Sequence, residues 1–317
     1  MFSFFKKRAA AKAKAPETAQ SQSPPETEEE VPTGVAFDVS VISKTDVGCV
    51  RELNEDSVYV LRPDSPEKRA QKGVLVVVCD GMGGHAGGEV ASQLAVTTIA
   101  ERYMNSSQPV APALRAALLA ANHAILEKAK RDSSLKGMGT TGTALVLRGS
   151  QAYYAHVGDS RLYLVRGGSI YQMSEEHSAV MEMVRRGLIS PEEARGHPQK
   201  NVILRAIGTQ PQVEVALWDE PFPLRAGDKW ILCSDGLSDL VEDDELLVAV
   251  NLHGLDAAGD SLVAMARSRG GHDNISVIIV EVLPVQISET EAEEKTATDE
   301  ENINAGVPVE TREVKIT

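Results

Sequence analysis

The stretch from Val74 to Ala91, VLVVVCDGMGGHAGGEVA, constrains the fold more than any other part of the chain. It opens with six consecutive apolar residues, too few for a typical helix, and this predicts a strand buried on both faces. The strand ends at Asp80, and five glycines follow within the next eight residues. A carboxylate at the mouth of a buried strand, next to backbone that can turn tightly, favours a site for a hard cation or a phosphate.

A second segment, KWILCSDG from Lys229 to Gly236, has the same arrangement and ends in Asp235-Gly236. Two strands that each place an Asp-Gly pair at their end predict one shared site. Taken alone, each pair is typical of an ordinary turn. GMGGHA also satisfies the relaxed dinucleotide pattern GxGxxG/A, which would indicate an oxidoreductase. That pattern needs an acid closing a second strand about 20 residues on, whereas Glu101 lies in a predicted helix, so this alternative is the weaker one.

The ends of the 317-residue chain differ in composition from its middle, which predicts one domain over residues 34–284. Residues 1–33 join a short apolar-basic head to a Pro, Glu, Ser and Gln stretch, and are predicted to be a disordered leader. Residues 285–317 carry nine acidic residues against three basic ones and are predicted to be a disordered acidic tail.

The overall totals exclude several classes of protein. The net charge of −14 argues against nucleic-acid binding, which requires basic surfaces. No apolar run approaches the length of about 18 residues needed for a transmembrane segment. The three cysteines are odd in number, and two fall in predicted buried strands, so they predict a reducing compartment and a cytoplasmic protein.

The pattern of periodicity predicts an α+β fold. Helical spacing covers Glu89 to Met104 and Pro112 to Arg131, whereas residues 137–174 predict three successive strands joined by glycine-containing turns. Residues from about 175 to 208 are charged, with short helical pieces, and resemble an insertion over a surface. Asp256 is expected to cap a helix that runs to Ser268.

Five aspartates lie at strand ends or in loops beside strands, namely Asp56, Asp80, Asp159, Asp235 and Asp273. Histidine and cysteine do not occur at zinc spacing, so magnesium or manganese is the cation that this oxygen-rich set predicts. Carboxylates that converge would repel one another without a cation. Arg51 shares a loop with Glu55 and Asp56, and its guanidinium can bind two phosphate oxygens at once.

Six segments, in this order and spacing, resemble the motifs of metal-dependent type-2C serine/threonine protein phosphatases of the bacterial type. The resemblance covers about Val35 to Pro284 and rests on RELNED at Arg51–Asp56, VVCDGMGGHAGGEVAS at Val77–Ser92, GMGTTGTA at Gly137–Ala144, HVGDSRLY at His156–Tyr163, CSDGLSD at Cys233–Asp239 and GHDNIS at Gly271–Ser276. It implies a four-layer α-β-β-α sandwich of two antiparallel sheets flanked by helix pairs, with residues 175–208 as the family's flap.

The resemblance also implies roles for individual residues. Asp80 would bridge two metal ions, and the carbonyl of Gly81 would bind one of them. Asp235 and Asp273 would complete one metal shell, and Asp56 would help to order the other. The remaining implied roles are a third, weaker ion held by Asp159 and Asp235, a phosphate-binding Arg51, and support from Glu55 and Asn274.

The implied activity is hydrolysis of phosphoserine and phosphothreonine by a metal-activated water, without a phosphoenzyme. The expected partners are phosphorylated proteins, a serine/threonine kinase and its substrates, and the expected state is a monomer. The general acid is an open question, because Met82 stands where eukaryotic relatives have histidine and His85 lies three residues later. A structural role for His85 is the simpler reading. A catalytically inactive binding module is the alternative function, disfavoured because every metal aspartate and Arg51 are present.

Overall fold

The computed structural model describes residues 37–83 and 87–284. Its strands are β1 Phe37–Asp46, β2 Asp56–Leu61, β3 Val74–Met82, β4 Gly139–Thr140, β5 Gly142–Arg148, β6 Gln151–Val157, β7 Arg161–Arg166, β8 Ser169–Gln172, β9 Ala216–Leu217, β10 Phe222–Pro223, β11 Lys229–Cys233 and β12 Ile275–Pro284. Its α-helices are α1 Pro66–Lys72, α2 Gly87–Met104, α3 Val110–Arg131, α4 Ala179–Arg185, α5 Pro191–Arg195, α6 Asp235–Ser238, α7 Asp243–Leu252 and α8 Leu255–Ser268.

The strands form two antiparallel sheets. One has five strands in the order β1-β12-β11-β7-β8. The other has seven strands and follows the order β10-β6-β5-β3-β2, with β4 paired to β3 and β9 paired to β6. The chain therefore passes from one sheet to the other between β6 and β7, at the turn that contains Asp159.

Three apolar clusters show how the layers stack. The first packs α2 and α3 on the outer face of the seven-stranded sheet, the second lies between the sheets, and the third packs α7 and α8 on the five-stranded sheet. Burying apolar faces in this way is what stabilises layered domains. The predicted α-β-β-α sandwich is confirmed.

Strand β3 lies in the centre of the seven-stranded sheet, between β2 and β5. Its residues from Val74 to Cys79 are all buried, because one face meets the helices and the other meets the second sheet. This explains why the apolar run does not alternate with polar residues. The prediction of a doubly buried strand is confirmed.

Several local predictions need correction. Residues 137–174 form five strands, β4 to β8, instead of three. The turn at residues 167–168 separates β7 from β8, and β4 ends before Thr141, whose N–H bonds to the Asp80 carbonyl. Helix α8 is capped by Gly254, and Asp256 lies in its first turn, where it pairs with Lys44 at 2.7 Å. Helix α1, with Ser65 as its N-cap, was not predicted. The predicted leader over 1–33 and tail over 285–317 lie outside the described residues.

The predicted insertion contains α4 and α5. Ser190 begins α5 with a capping box, since its hydroxyl accepts from the Glu193 N–H at 3.1 Å and the Glu193 carboxylate accepts from the Ser190 N–H at 2.7 Å. We keep the name flap for residues 175–208. In the described part of the chain, helices long and apolar enough to cross a bilayer are absent.

Candidate metal centre

The strand registers bring the five predicted aspartates to one end of the sandwich. Asp56 lies directly opposite Asp80 in the pairing of β2 with β3. In the other sheet, Cys233 at the end of β11 pairs with Arg161 at the start of β7 and with Val277 near the start of β12. Asp159, Asp235 and Asp273 lie just outside those three positions, so these residues share one edge of the five-stranded sheet.

The carboxyl groups influence one another strongly. Burial and the charges of Asp56 and Asp235 raise the pKa of Asp80 well above its usual range. Burial, opposed by the Ser234 hydroxyl, raises the pKa of Asp56 to about 7. Burial and the charge of Asp239 raise the pKa of Asp235 to about 6. Such a group of carboxyls is held in the charged form only by nearby positive charge.

Several buried oxygens of this group have no hydrogen-bond partner, and they are Oε1 of Glu55 and Oδ1 of Asp56, Asp159 and Asp235. Unpaired buried oxygens are unusual in proteins, and a cluster of them is suited to bind a ligand. As the side chains stand, no three histidine, cysteine, aspartate or glutamate side chains of the described residues are placed to hold one ion together. The donor chemistry nevertheless fits a hard divalent cation, because these oxygens are acidic, buried and unpaired.

Arg51 lies at the rim of this centre, with its side chain 47% exposed. Its Nη2 donates to Asp273 Oδ2 at 2.7 Å, and its Nη1 lies 3.7 Å from Glu55 Oε2. The predicted phosphate-binding residue is thus paired with a predicted metal ligand. Asp273 has a second partner in the backbone N–H of Asn274, at 2.8 Å.

Asn274 is buried and fastens the loop that contains Arg51 to the start of β12. Its Oδ1 accepts from the Glu55 N–H at 2.7 Å, and its Nδ2 donates to the carbonyls of Val47 and Leu53, both at 2.9 Å. All of its polar side-chain atoms are therefore used inside the protein. These contacts fix the loop geometry without offering an oxygen to a cation.

Gly81 and Gly88 bring two backbone segments into close approach beside Glu55. A β-carbon on Gly81 would lie 2.2 Å from the Gly88 carbonyl oxygen, and one on Gly88 would lie 2.4 Å from Glu55 Oε1. The Gly81 N–H donates to the Glu55 carbonyl at 3.1 Å. A side chain at either position would push Gly81, Gly88 and Glu55 apart, which explains the glycines next to the predicted strand end.

Thr140 and Thr141 of the GMGTTGTA motif both hold the backbone of Asp80, a role that their sequence pattern did not predict. The Asp80 N–H donates to Thr141 Oγ1 at 2.8 Å, and the Asp80 carbonyl accepts from the Thr141 N–H and the Thr140 hydroxyl, each at 2.8 Å. Thr141 Oγ1 also lies 2.8 Å from Ser160 Oγ. The motif marked these threonines as part of the resemblance, but it could not show their contacts with Asp80, which lies about 60 residues earlier in the chain.

The flap reaches the centre through several contacts. The His177 N–H donates to the Gly158 carbonyl at 2.7 Å, next to Asp159. Lys200 pairs with Asp239 near Asp235, and Arg195 pairs with Glu242 at the start of α7. His197 stays within the flap, where its Nδ1 accepts from the Gln199 N–H at 3.1 Å. His85 lies outside the described residues, so its role stays a prediction.

A family model described as Protein phosphatase 2C matches residues 62–274. The chain belongs to the protein phosphatase 2C family. This confirms the family to which the six motifs pointed.

Bacterial members of this phosphatase 2C family resemble the chain over most of its described length. The serine/threonine protein phosphatase PstP of Mycobacterium tuberculosis is 38% identical over 252 residues, which are 78% of this chain and 46% of that protein. The chain thus spans about half the length of PstP. The serine/threonine phosphatase stp of Listeria welshimeri is 37% identical over 75% of this chain and 94% of its own. A crystal structure of the PstP catalytic domain with two manganese ions aligns with a TM-score of 0.66 at 35% identity, covering 78% of this chain and 99% of that one.

Proposed function

We propose that this chain is a metal-dependent protein serine/threonine phosphatase that hydrolyses phosphoserine and phosphothreonine. The observation that carries the proposal is the convergence of five aspartates from both sheets, with buried oxygens that lack partners, beside a partly exposed arginine. Carboxylates grouped in this way repel one another unless cations neutralise their charge. Arg51 then adds a positively charged fork suited to a phosphoryl group.

The residues that would hold the cations are Asp80 with the Gly81 carbonyl, together with Asp56, Asp235 and Asp273. We propose two Mn²⁺ or Mg²⁺ ions there and a third, weaker ion near Asp159 and Asp235. When bound, divalent ions supply an acidified water for attack on phosphorus and positive charge for the phosphoryl oxygens. Of the two metals, manganese has the direct support of a relative's structure.

The chain's own residues position the reacting groups. Thr140 and Thr141 fix the backbone of Asp80 by three hydrogen bonds, so its carboxylate is held before any ligand arrives. Arg51 is bonded to Asp273 and would exchange this carboxylate for a substrate phosphate. Glu55, fixed beside Arg51 by Asn274, would support the same loop.

Cys79 and Cys233 take no part in the proposed mechanism. Cys79 and Cys233 are buried, and burial raises the pKa of both thiols, in Cys233 to about 12. A thiol needs a lowered pKa to act as a nucleophile at neutral pH. A covalent cysteine intermediate is therefore excluded for these two residues, and direct attack by water is the fitting route.

We place this activity in a catalytic domain over residues 34–284, with residues 175–208 as a flap beside the centre. The proposed substrates are phosphorylated proteins, including a serine/threonine kinase and its targets. We further propose that the protein is a monomer and that it is cytoplasmic; its three free cysteines, two of them buried, support a reducing compartment. The alternative of an inactive binding module has no observation in its favour, because Arg51 and all five aspartates are present.

The decisive experiment is hydrolysis of a phosphothreonine peptide by the full chain, first stripped with EDTA and then titrated with Mn²⁺. We expect metal to restore turnover in the wild type, and we expect Asp80→Asn to remain inactive while keeping its circular dichroism spectrum. Wild-type-like turnover by Asp80→Asn would refute the bridging role. Inactivity of a folded wild type that still binds Mn²⁺ would favour the binding-module alternative.

A further inference from the structure

Asp159 lies between Gly158 and Ser160, in the turn where the chain crosses from one sheet to the other. The residue is 5% exposed, and its Oδ1 is buried without a partner. A buried oxygen without a partner does not fix its own side chain, so the position of this carboxyl group depends on how the backbone on both sides of Asp159 is held.

On one side of Asp159, two buried histidines hold Gly158. The Gly158 N–H donates to His177 Nδ1 at 3.1 Å, and the Gly158 carbonyl accepts from the His177 N–H at 2.7 Å. The same carbonyl accepts from His156 Nε2 at 2.9 Å. Gly158 has φ of +122°, and a β-carbon there would lie 2.6 Å from the Thr141 side chain. The turn therefore packs directly against Thr141 and requires glycine at this position.

The two imidazoles are neutral in this arrangement. His156 uses Nε2–H toward Gly158, which leaves Nδ1 to accept from the Thr143 hydroxyl at 2.9 Å. His177 accepts at Nδ1 and therefore carries its proton on Nε2. Burial lowers the pKa of His156 to about 3 and that of His177 to about 4, so both remain neutral at physiological pH.

On the other side of Asp159, the hydroxyl of Ser160 lies 2.8 Å from Thr141 Oγ1. The same Thr141 oxygen accepts from the Asp80 N–H at 2.8 Å. The turn is therefore fastened at Gly158 to the histidines and at Ser160 to the residue that holds Asp80. Asp159 lies between these two attachments.

His177 belongs to the base of the flap. Its carbonyl accepts from the Leu204 N–H at 2.7 Å, and the next residue, Ser178, forms an antiparallel bridge with Ile203. The Ala179 N–H donates to the Val202 carbonyl at 2.8 Å. The two ends of the flap are thus joined at His177, which bonds to Gly158, the residue before Asp159.

From these contacts we infer that His177 is a positioning residue for Asp159, through which the base of the flap sets the affinity of the centre for its weaker divalent cation. The inference deepens the proposed function and rests on it. His177 does not touch the cation. It acts through the Gly158 backbone, so its removal should loosen Asp159 while leaving Asp80 and Asp273 in place.

The test begins without metal, by hydrogen exchange of peptides that contain residues 157–163 in the full chain. We expect His177→Ala to increase exchange there by about tenfold, the effect of losing one buried hydrogen bond. His177→Asn keeps an acceptor close to the Nδ1 position and should restore most of the protection, whereas His177→Gln places its acceptor farther out and should not. His197→Ala is the matched control, because it removes a flap histidine that also accepts a backbone N–H.

The second measurement is the binding of Mn²⁺ to the same variants by titration calorimetry. We expect His177→Ala to weaken the lowest-affinity step about tenfold and to leave the tighter steps within about twofold. Unchanged exchange in residues 157–163, or equal behaviour of the Asn and Gln variants, would overturn the role of His177. Absence of Mn²⁺ binding by the wild type would instead overturn the proposed function, so the two failures are distinguishable.

Discussion

Arg51 is the residue that links the proposed cation site to the proposed phosphate site. Its guanidinium is bonded to Asp273, one of the carboxylates expected to bind a cation. Cation and arginine would compete for this carboxylate, so Arg51 would give up its bond to Asp273 and face solvent if Asp273 held a cation. Since Arg51 is 47% exposed, it can then turn to a phosphate without disturbing the core.

Replacement of Arg51 should therefore affect substrate binding more than the chemical step. We expect Arg51→Ala to raise KM for a phosphothreonine peptide about tenfold or more, with a smaller loss in kcat. Arg51→Lys should recover only part of the loss, because lysine lacks the planar fork. Steady-state kinetics at saturating Mn²⁺ measure both parameters, and an unchanged KM in Arg51→Ala would contradict the assignment.

Asn274 should matter to stability as well as to catalysis. Asn274→Ala removes three hydrogen bonds between β12 and the loop of Arg51, and we expect a loss of about 2–4 kcal/mol in the free energy of unfolding. Urea denaturation in EDTA measures this loss without any contribution from metal. Asn54→Ala is the comparison in the same loop, because the half-buried Asn54 side chain makes only two hydrogen bonds, donating to the exposed Thr45 hydroxyl at 2.8 Å and accepting from the Asp56 N–H at 3.1 Å, and should cost less. Equal effects of the two variants would contradict a special role for Asn274.

At the scale of elements, the flap is attached at both ends. Its start is held by His177, and at its last residue the Gly208 N–H donates to Oδ1 of the buried Asn122 in α3 at 2.7 Å. Asn122 Nδ2 also donates to the Gln210 carbonyl at 3.0 Å. Ile207 and Thr140 exchange backbone hydrogen bonds at 2.8 and 2.9 Å, which links this attachment to the strand beside Asp80.

Loss of the attachment at Asn122 should loosen the flap selectively. We expect Asn122→Ala to increase hydrogen exchange in residues 200–212 by about tenfold or more, since buried backbone groups lose their partner. Exchange in β3, at the centre of its sheet, should change much less. Hydrogen exchange with peptide-level mass spectrometry resolves the two regions, and a uniform increase across both would indicate a general loss of stability instead.

Features that depend on neighbouring residues in the chain could be predicted from the sequence, whereas contacts between residues far apart in the chain could not. Strand β3 and helix α3 were predictable, because their apolar spacing is a local property of the chain. The five aspartates were predictable because strand ends meet at a sheet edge and because the motifs keep their order. The roles of Thr140, Thr141 and His177 were not, since each depends on a partner brought near by the crossing of the chain between two sheets.

The base of the flap illustrates the same limit. The sequence indicated short helices and a charged surface over residues 175–208, and helices α4 and α5 are present. It did not indicate that Ser178 and Ile203 would pair, because neither lies in a run with strand periodicity. The capping box at Ser190, in contrast, is complete within four residues and could be expected from its local pattern.

At the scale of the whole molecule, the metal-free protein should respond to pH through its buried carboxyls. The pKa of Asp56 is raised to about 7, whereas an aspartate in an unfolded chain titrates near about 3.9. Between these values the folded state binds more protons than the unfolded state, so this group lowers the free energy of unfolding as the pH rises. The neutral buried His156, with a pKa lowered to about 3, contributes in the opposite direction up to about pH 6.5.

A comparison with Asp56→Asn isolates the carboxyl contribution. In EDTA, we expect the melting temperature of Asp56→Asn relative to wild type to rise by roughly 3 °C or more as the pH goes from about 5 to about 7.5. Saturating Mn²⁺ should reverse the order, because the cation stabilises the charged wild-type carboxylate. Thermal melts with and without EDTA measure the difference, and a relative melting temperature independent of pH would contradict the raised pKa.

The order β1-β12-β11 within the five-stranded sheet has a consequence for folding during synthesis on the ribosome. The first described strand pairs along its whole length with the last, from Phe37 opposite Pro284 to Asp46 opposite Ile275. While the ribosome still holds the end of the domain, β1 has no neighbour and Asp273 cannot reach the other carboxylates. A chain cut short before β12 would lack both the pairing of β1 and the contribution of Asp273, so we expect the proposed phosphatase activity to require the completed domain.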